Sequence, residues 1–259
     1  MLELYASEPN TFFLKPLIAL AEKRAPFTLH YVDAANLGQF APGLPADLES
    51  TLRLEREGPL LVDGDTVISG TSFMLEYLSE ALPGPALLPA GAYDCYRVRA
   101  WAQYLGAQLG SSVPVLGCAK YLQPHLATLP GIDQRIAAIE PVERRIGWLA
   151  MRDGTYTAAY LKSVRERLAA PLARIESALQ EGPWLAGPAF SAADIDAYPM
   201  LCVLPDLAPE SVNAHSTPRI VEYLARIGAR ESVREARRAA RTPHPEHQFV
   251  PGIEASRWG

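Results

Sequence analysis

Over residues 1–82 the spacing of apolar positions alternates between two and three-to-four, and each change predicts an element. Leu2 and Leu4 alternate with Glu3 and Tyr5, the period of a half-buried strand. Asn10-Thr11 suit a helix start, and Leu14, Leu17, Ile18, Leu20 and Ala21 then recur at helical spacing until Arg24-Ala25-Pro26. Phe27 to Val32 alternates again as a second strand. Residues 34–50, rich in Pro, Gly and Asn, predict a loop, with one helical turn over Ala46 to Leu54. Gly58-Pro59 leads into Leu60-Leu61-Val62, and Asp63-Gly64 marks a hairpin turn before a second apolar run. Thr71 to Leu78 reads as the helix that follows. An X-Pro bond at the mouth of a hairpin is a candidate cis peptide, which leaves the neighbouring backbone open to a ligand.

Leu82-Pro83-Gly84-Pro85-Ala86-Leu87-Leu88-Pro89 is too rich in proline to continue a helix. It divides the chain into an α/β domain over 1–82, a linker over 83–90 and an all-helical substrate domain over 91–259. Helical spacing recurs near 92–113, 132–150, 156–180, 192–203 and 217–240. The tail beyond Arg241 is irregular and is expected to drape over a neighbouring surface.

The 259 residues suffice for a full core, and a 49% hydrophobic, 20% charged composition is that of a globular protein. A formal charge of −5 argues against a nucleic-acid partner, which calls for a basic face. No apolar run reaches the ~18 residues of a membrane helix, and no secretory signal opens the chain. Cys95, Cys118 and Cys202, odd in number and widely spaced, predict free thiols in a reducing cytoplasm. His244 and His247 stand on a Pro-rich tail without a carboxylate cluster, so no metal is expected there.

The Gly58-Pro59 hairpin and its helix resemble the thioredoxin-like half of the glutathione S-transferase superfamily. Leu2-x-Leu4-Tyr5, Leu14-Lys15-Pro16-Leu17, Glu22-Lys23, Phe27 and Val32-Asp33 are similar to the opening of its bacterial β-etherase branch, enzymes that cleave aryl ethers from lignin. Phe190-Ser191-Ala192-Ala193-Asp194-Ile195 resembles the superfamily's buried capping box. Thr217-Pro218, Tyr223-Leu224, Arg226-Ile227, Ala229-Arg230 and Val233-Arg234-Glu235 resemble its last long helix. The resemblance spans nearly the whole chain. It implies an α/β thioredoxin-like N-terminal domain joined to an all-α C-terminal domain, in a cytoplasmic homodimer.

The resemblance also implies three devices for glutathione, and the chain departs from each. An acid-hydroxyl pair should hold the γ-glutamyl end, but Gly70 stands at the acid position, leaving Thr71 and Ser72. Without that counter-charge a bound ammonium loses about 1.5–3 kcal/mol, so Gly70→Glu is expected to improve binding. Arg56-Glu57 replaces small and polar residues before the proline, although Gly58 and Pro59 still offer backbone. In the first turn of the first helix, where free amides favour a thiolate, Phe12 and Phe13 replace small polar residues. Asn10 and Thr11 lie just upstream, either to substitute or simply to cap the helix. Glutathione is therefore the alternative cofactor, and none is the favoured expectation.

On the helix near 92–113, Trp101, Tyr104, Gln108 and Ser111 share one face that suits an aromatic, oxygenated ligand, unless the aromatics are core. Lys120 and Tyr121 follow as acid-base candidates, with His125. Arg144, Arg145 or Arg152 offers a fork for a substrate carboxylate, or else a surface ion pair. Phe12 and Phe13 are taken as substrate lining. The expected function is a cofactor-independent lyase acting on a small lignin-derived aromatic substrate, for example by releasing a hydroxymethyl group as formaldehyde. Tyr104, Tyr121, Lys120, Thr11 or Asn10 would be its acid and base, and Gln108, Ser111 and Arg144 would contact substrate. A glutathione-dependent β-aryl-etherase and a non-catalytic binding relative are the rivals, and the fold alone cannot choose among them.

Overall fold

The computed structural model describes residues 1–38, 58–139 and 142–251. Four strands, β1 Leu2–Ala6, β2 Phe27–Tyr31, β3 Leu60–Asp63 and β4 Thr66–Ser69, form one sheet in the order β2-β1-β3-β4. β1 runs parallel to β2 and antiparallel to β3. A parallel pair needs a crossover, and α1, Thr11–Lys23, supplies it. Arg24 ends α1 in the left-handed conformation, its amide bonding back to the Leu20 and Ala21 carbonyls. Gly64 occupies the β3–β4 turn at φ +58°, where a side chain would be strained. The Gly58-Pro59 bond is cis, as the sequence predicts. α2, Thr71–Ala81, packs beside α1 through buried Met74, Leu75 and Leu78.

The remaining layer is helical, but its segments are shorter than their apolar spacing predicts. α3, Ala92–Leu105, passes into a π-helical turn over Gly106–Gly110. Val113–Gly117, a second π turn at Cys118–Leu122 and Gln123–Leu126 follow, so the run near 92–113 continues, interrupted, to 126. Pro114 and Pro124 stand at the starts of the short pieces, where a missing N–H costs least. The run over 132–150 divides into Ile132–Ala137 and Val142–Arg152. The next divides at Leu168 into Ala158–Arg167 and α4, Ala169–Glu181. α5, Ala192–Leu201, is followed by an unforeseen turn at Leu204–Leu207. The last run breaks at Ala229-Arg230 into α6, Pro218–Gly228, and α7, Glu231–Arg237. The helical turn expected over Ala46 to Leu54 lies outside the described residues.

All ten residues of α5 are buried, which is why its sequence lacks a polar stripe. Its start is held by Asp194, whose carboxylate accepts the amides of Ser191 (2.9 Å) and Leu185 (3.0 Å). The hydroxyls of Tyr223 (2.9 Å) and Ser191 (3.3 Å) also donate to it. Burial pushes this carboxyl up to about 6, against those four donors, which favour the charge. Two residues on, Asp196 pairs with the Lys15 ammonium, 2.6 Å from its Oδ1, and its Oδ2 accepts the Ser72 hydroxyl at 3.3 Å, joining α1 and α2 to α5. Both members of the ion pair are at least 95% withdrawn from solvent. A second tie runs from Glu22 on α1 to Arg230 (2.8 and 3.0 Å) and Ser232.

Two substitutions weigh these contacts. Ser191→Ala removes the cap hydroxyl and is expected to cost about 0.5–2 kcal/mol in urea unfolding. Lys15→Met strands a buried carboxylate and should cost about 3–5 kcal/mol. The double variant Lys15→Met/Asp196→Leu, which removes both charges, should recover most of that loss. Equal losses in the single and double variants would mean that the pair does not act as a unit.

Candidate functional site

The first turn of α1 is built by Asn10. Its Oδ1 accepts the Thr11 amide at 2.9 Å, while its Nδ2 donates to the carbonyls of Glu246 (3.3 Å) and Gln248 (3.1 Å). The carboxamide is thereby divided between the helix start and the chain's far end. Asn10 and Thr11 retain only 2% and 4% exposure. Thr11 has φ +40°, an uncommon conformation for a β-branched residue.

The covering segment, residues 241–251, is a strap tied down along its length. The Arg241 amide donates to both carboxylate oxygens of Glu8 at 3.1 Å, and its guanidinium lies 4.3 Å over the Tyr31 ring. Tyr31 donates to the same carboxylate at 2.8 Å, and its phenol is held above its ordinary value by burial first and by Glu8 second. His247 stacks on Tyr121 at 4.0 Å, and Phe249, 2% exposed, lies parallel to that ring at 6.2 Å. A Cβ on Gly117 would come within 2.2 Å of the Phe249 ring, so glycine is what admits it. The expected draping tail is thus a specific contact over α1.

Beside the strap, half-buried Tyr121 and exposed Lys120 meet Asp206, itself exposed. The Lys120 ammonium donates to Asp206 Oδ1 at 2.7 Å and to its carbonyl at 2.9 Å, and the Tyr121 hydroxyl donates to Oδ2. The Asp206 hydrogen bond is the main reason the Lys120 pKa is raised. Burial and then Asp206 raise that of Tyr121. Partial burial would raise Asp206, but its bonds to Lys120 and Tyr121 outweigh this and lower it. At neutral pH the trio is therefore an ammonium, a phenol and a carboxylate. Asp206 escaped the sequence reading; its one signal is a carboxylate directly after Pro205.

The other candidates lie elsewhere. Tyr104 stands edge-on to Trp101 at 6.0 Å beneath the Arg174 guanidinium, 4.1 Å from its ring. Its neighbour is therefore α4, not the strap. Trp101 lines a cleft of about 670 Å³ between α3 and α4 with Arg97, Arg174 and Trp184. Gln108 is exposed on the π turn, and the Ser111 hydroxyl donates to the Ala107 carbonyl at 2.9 Å. The single face expected for Tyr104, Gln108 and Ser111 is altered because the π turn breaks the helical spacing. Phe13 is buried in the core, whereas Phe12 is partly exposed with the Lys15 ammonium 5.2 Å from its ring. Arg144 is buried and donates to the Gly38 carbonyl at 3.0 Å; Arg152 bonds Asp133 and Asp153. His125 faces Asn36 at 3.0 Å.

The positions expected to hold glutathione are partly committed. Gly58 precedes the buried Pro59 at φ +61°, and Thr71 opens α2 with no side-chain cap ahead of it. Ser72 is turned to Asp196. Gly70 has φ +78°, and a Cβ there would lie 2.9 Å from Phe73 Cδ2. Gly70→Glu therefore adds backbone strain along with its charge, a correction to the simple restoration expected from the sequence.

Comparison with known proteins agrees with this architecture. Residues 139–231 match the glutathione S-transferase C-terminal domain. The chain is 24% identical to protein LigF of Sphingobium sp. strain SYK-6 over 242 residues, 90% of this chain and 92% of that protein. It is 24% identical to glutathione S-transferase U14 of Arabidopsis thaliana, covering 90% and 83% of the two chains. The crystal structure of the Sphingobium β-etherase LigF superposes with a TM-score of 0.81 at 23% identity, over 92% of this chain and 99% of that one. The chain has the glutathione S-transferase fold, with a resemblance to the β-etherases that runs through nine-tenths of its length.

Proposed function

We propose that this chain is an enzyme acting on small lignin-type aromatic compounds as a cofactor-independent lyase, with Tyr121, Lys120 and Asp206 as its polar machinery. The observation that carries the reading is the commitment of Asn10. A helix start that steers a thiolate needs free donors, yet the Asn10 amide already bonds two strap carbonyls. The loss of the acid at Gly70 points the same way.

The proposed step acts on a dimer bearing a hydroxymethyl group beside a carbon that carries a benzylic hydroxyl. Asp206 accepts the hydroxymethyl O–H proton. The carbon–carbon bond breaks to release formaldehyde, and its electron pair forms the new carbon–carbon double bond. The benzylic hydroxyl leaves as water with the proton of Tyr121, and Lys120 offsets the charge left on the phenolate. Proton return from Asp206 to Tyr121 restores the site. Glutathione-dependent ether cleavage is the second reading, favoured by the similarity to LigF. In either case a second copy of the chain is the proposed partner, since Phe73, Tyr93 and Tyr96 stand exposed on α2 and α3. A cytoplasmic setting accords with the free cysteines.

Two measurements separate the readings. Calorimetry on the full chain should give a glutathione Kd weaker than about 1 mM, the range left when a charged contact is missing; sub-millimolar binding would overturn the cofactor-free reading. Assayed on hydroxymethyl and aryl-ether dimers without glutathione, Tyr121→Phe should lower turnover about 10²–10⁴-fold with little change in substrate binding. Turnover that requires glutathione and survives Tyr121→Phe would assign the protein to the etherases, and substrate binding without turnover in either assay would make it a binding protein.

A further inference from the structure

His244, Glu246 and His247 come from four consecutive residues, yet sequence reading gave the two histidines no carboxylate partner. The folded strap provides one. His244 Nδ1 lies 3.2 Å from Glu246 Oε1, and His247 Nε2 lies 3.8 Å from the same oxygen. One ligand atom from each residue falls within 4.8 Å of the others. A tetrahedral ion with bonds near 2.1 Å sets its ligands about 3.4 Å apart, and the two measured separations bracket that value.

We propose that His244, Glu246 and His247 form a binding site for a divalent transition metal of the zinc type. Two imidazoles and one carboxylate are the donor set such ions favour over calcium or magnesium, and three protein ligands leave a fourth position for water. The site is set in place before the ion arrives. Pro245 opens the single 3₁₀ turn Pro245–His247, and Asn10 fixes the carbonyls on either side of His247. Tyr121 holds the His247 ring, and the His244 ring stacks on it at 5.0 Å. The Glu246 carboxyl lies below its ordinary range, since its own backbone amide and the two imidazoles outweigh partial burial. An ion here would bind three side chains of the segment that covers α1, and so stiffen the turn that Asn10 and Tyr121 already hold in place. The inference is independent of whether the enzyme is a lyase or an etherase.

The test uses the full chain without an affinity tag, stripped with chelator and titrated with Zn²⁺ by calorimetry. One equivalent should bind, and His244→Ala/His247→Ala should weaken that binding at least about 100-fold. Glu246→Gln should weaken it about tenfold or more, since even residues behind a ligand are worth 10–100-fold. Zn²⁺ should also slow amide exchange over residues 244–249 in the native chain but not in the double variant. Co²⁺ in the same site should show the intense visible bands of a four-coordinate ion. Absence of stoichiometric binding up to millimolar Zn²⁺, or binding that the double variant retains within tenfold, would overturn the proposal. These side chains are exposed or half-exposed, so their loss leaves the core intact.

Discussion

The buried ion pair between Lys15 and Asp196 is the constraint on which the arrangement of the two layers depends. Neither charge has water to turn to, so each is tolerable only while the other is in place. Lys15 lies one turn into α1 and Asp196 lies in the middle of α5, so the pair fixes how α1 sits on the helical layer. Ser72 shares the same carboxylate, which brings the start of α2 into register with both. α5 is thus a hub. Asp194 at its start organises the loop before it and Tyr223 of α6, while Asp196 two residues later serves the sheet layer.

Asn10 extends that order to the far end of the chain. A helix N-terminus presents unpaired amides and a partial positive charge, which makes it a good seat for a thiolate. Here the capping side chain satisfies one amide with its oxygen and binds the strap with its nitrogen. The strap therefore rests on the cap itself, and uncovering α1 means breaking two hydrogen bonds at Asn10, the Glu8 contact of Arg241 and the packing of Phe249. These contacts together tie the segment down along its length.

Most of the fold was legible because local signals agreed with it. Alternation marked β1 and β2, Asp63-Gly64 marked the hairpin, and Ser191 with Asp194 marked the start of α5. The helix boundaries were less legible: prolines and π turns interrupt segments whose apolar spacing continues unbroken. The site was legible only in part. Lys120 and Tyr121 were singled out for their chemistry, but their partner Asp206 is more than eighty residues away, and the strap contacts of Asn10 span more than two hundred. No periodicity or turn rule reaches so far. Glu246 was missed for the opposite reason: it lies between the two histidines, and only the 3₁₀ turn brings its side chain toward both.

The same geometry bears differently on the two proposed chemistries. Thiol-dependent cleavage draws on the amides at the start of α1 and on a carboxylate at the start of α2. In this chain the first is beneath the strap, and the second is a glycine whose backbone resists a side chain. The proposed acid-base chemistry would draw instead on groups from the helical layer, which meet the same strap at another point: Tyr121 stacks on His247 while Asn10 binds the carbonyls that flank it. A substrate that displaced residues 246–249 would meet both sets at once. On the proposed lyase reading, the groups it would use there are Tyr121, Lys120 and Asp206.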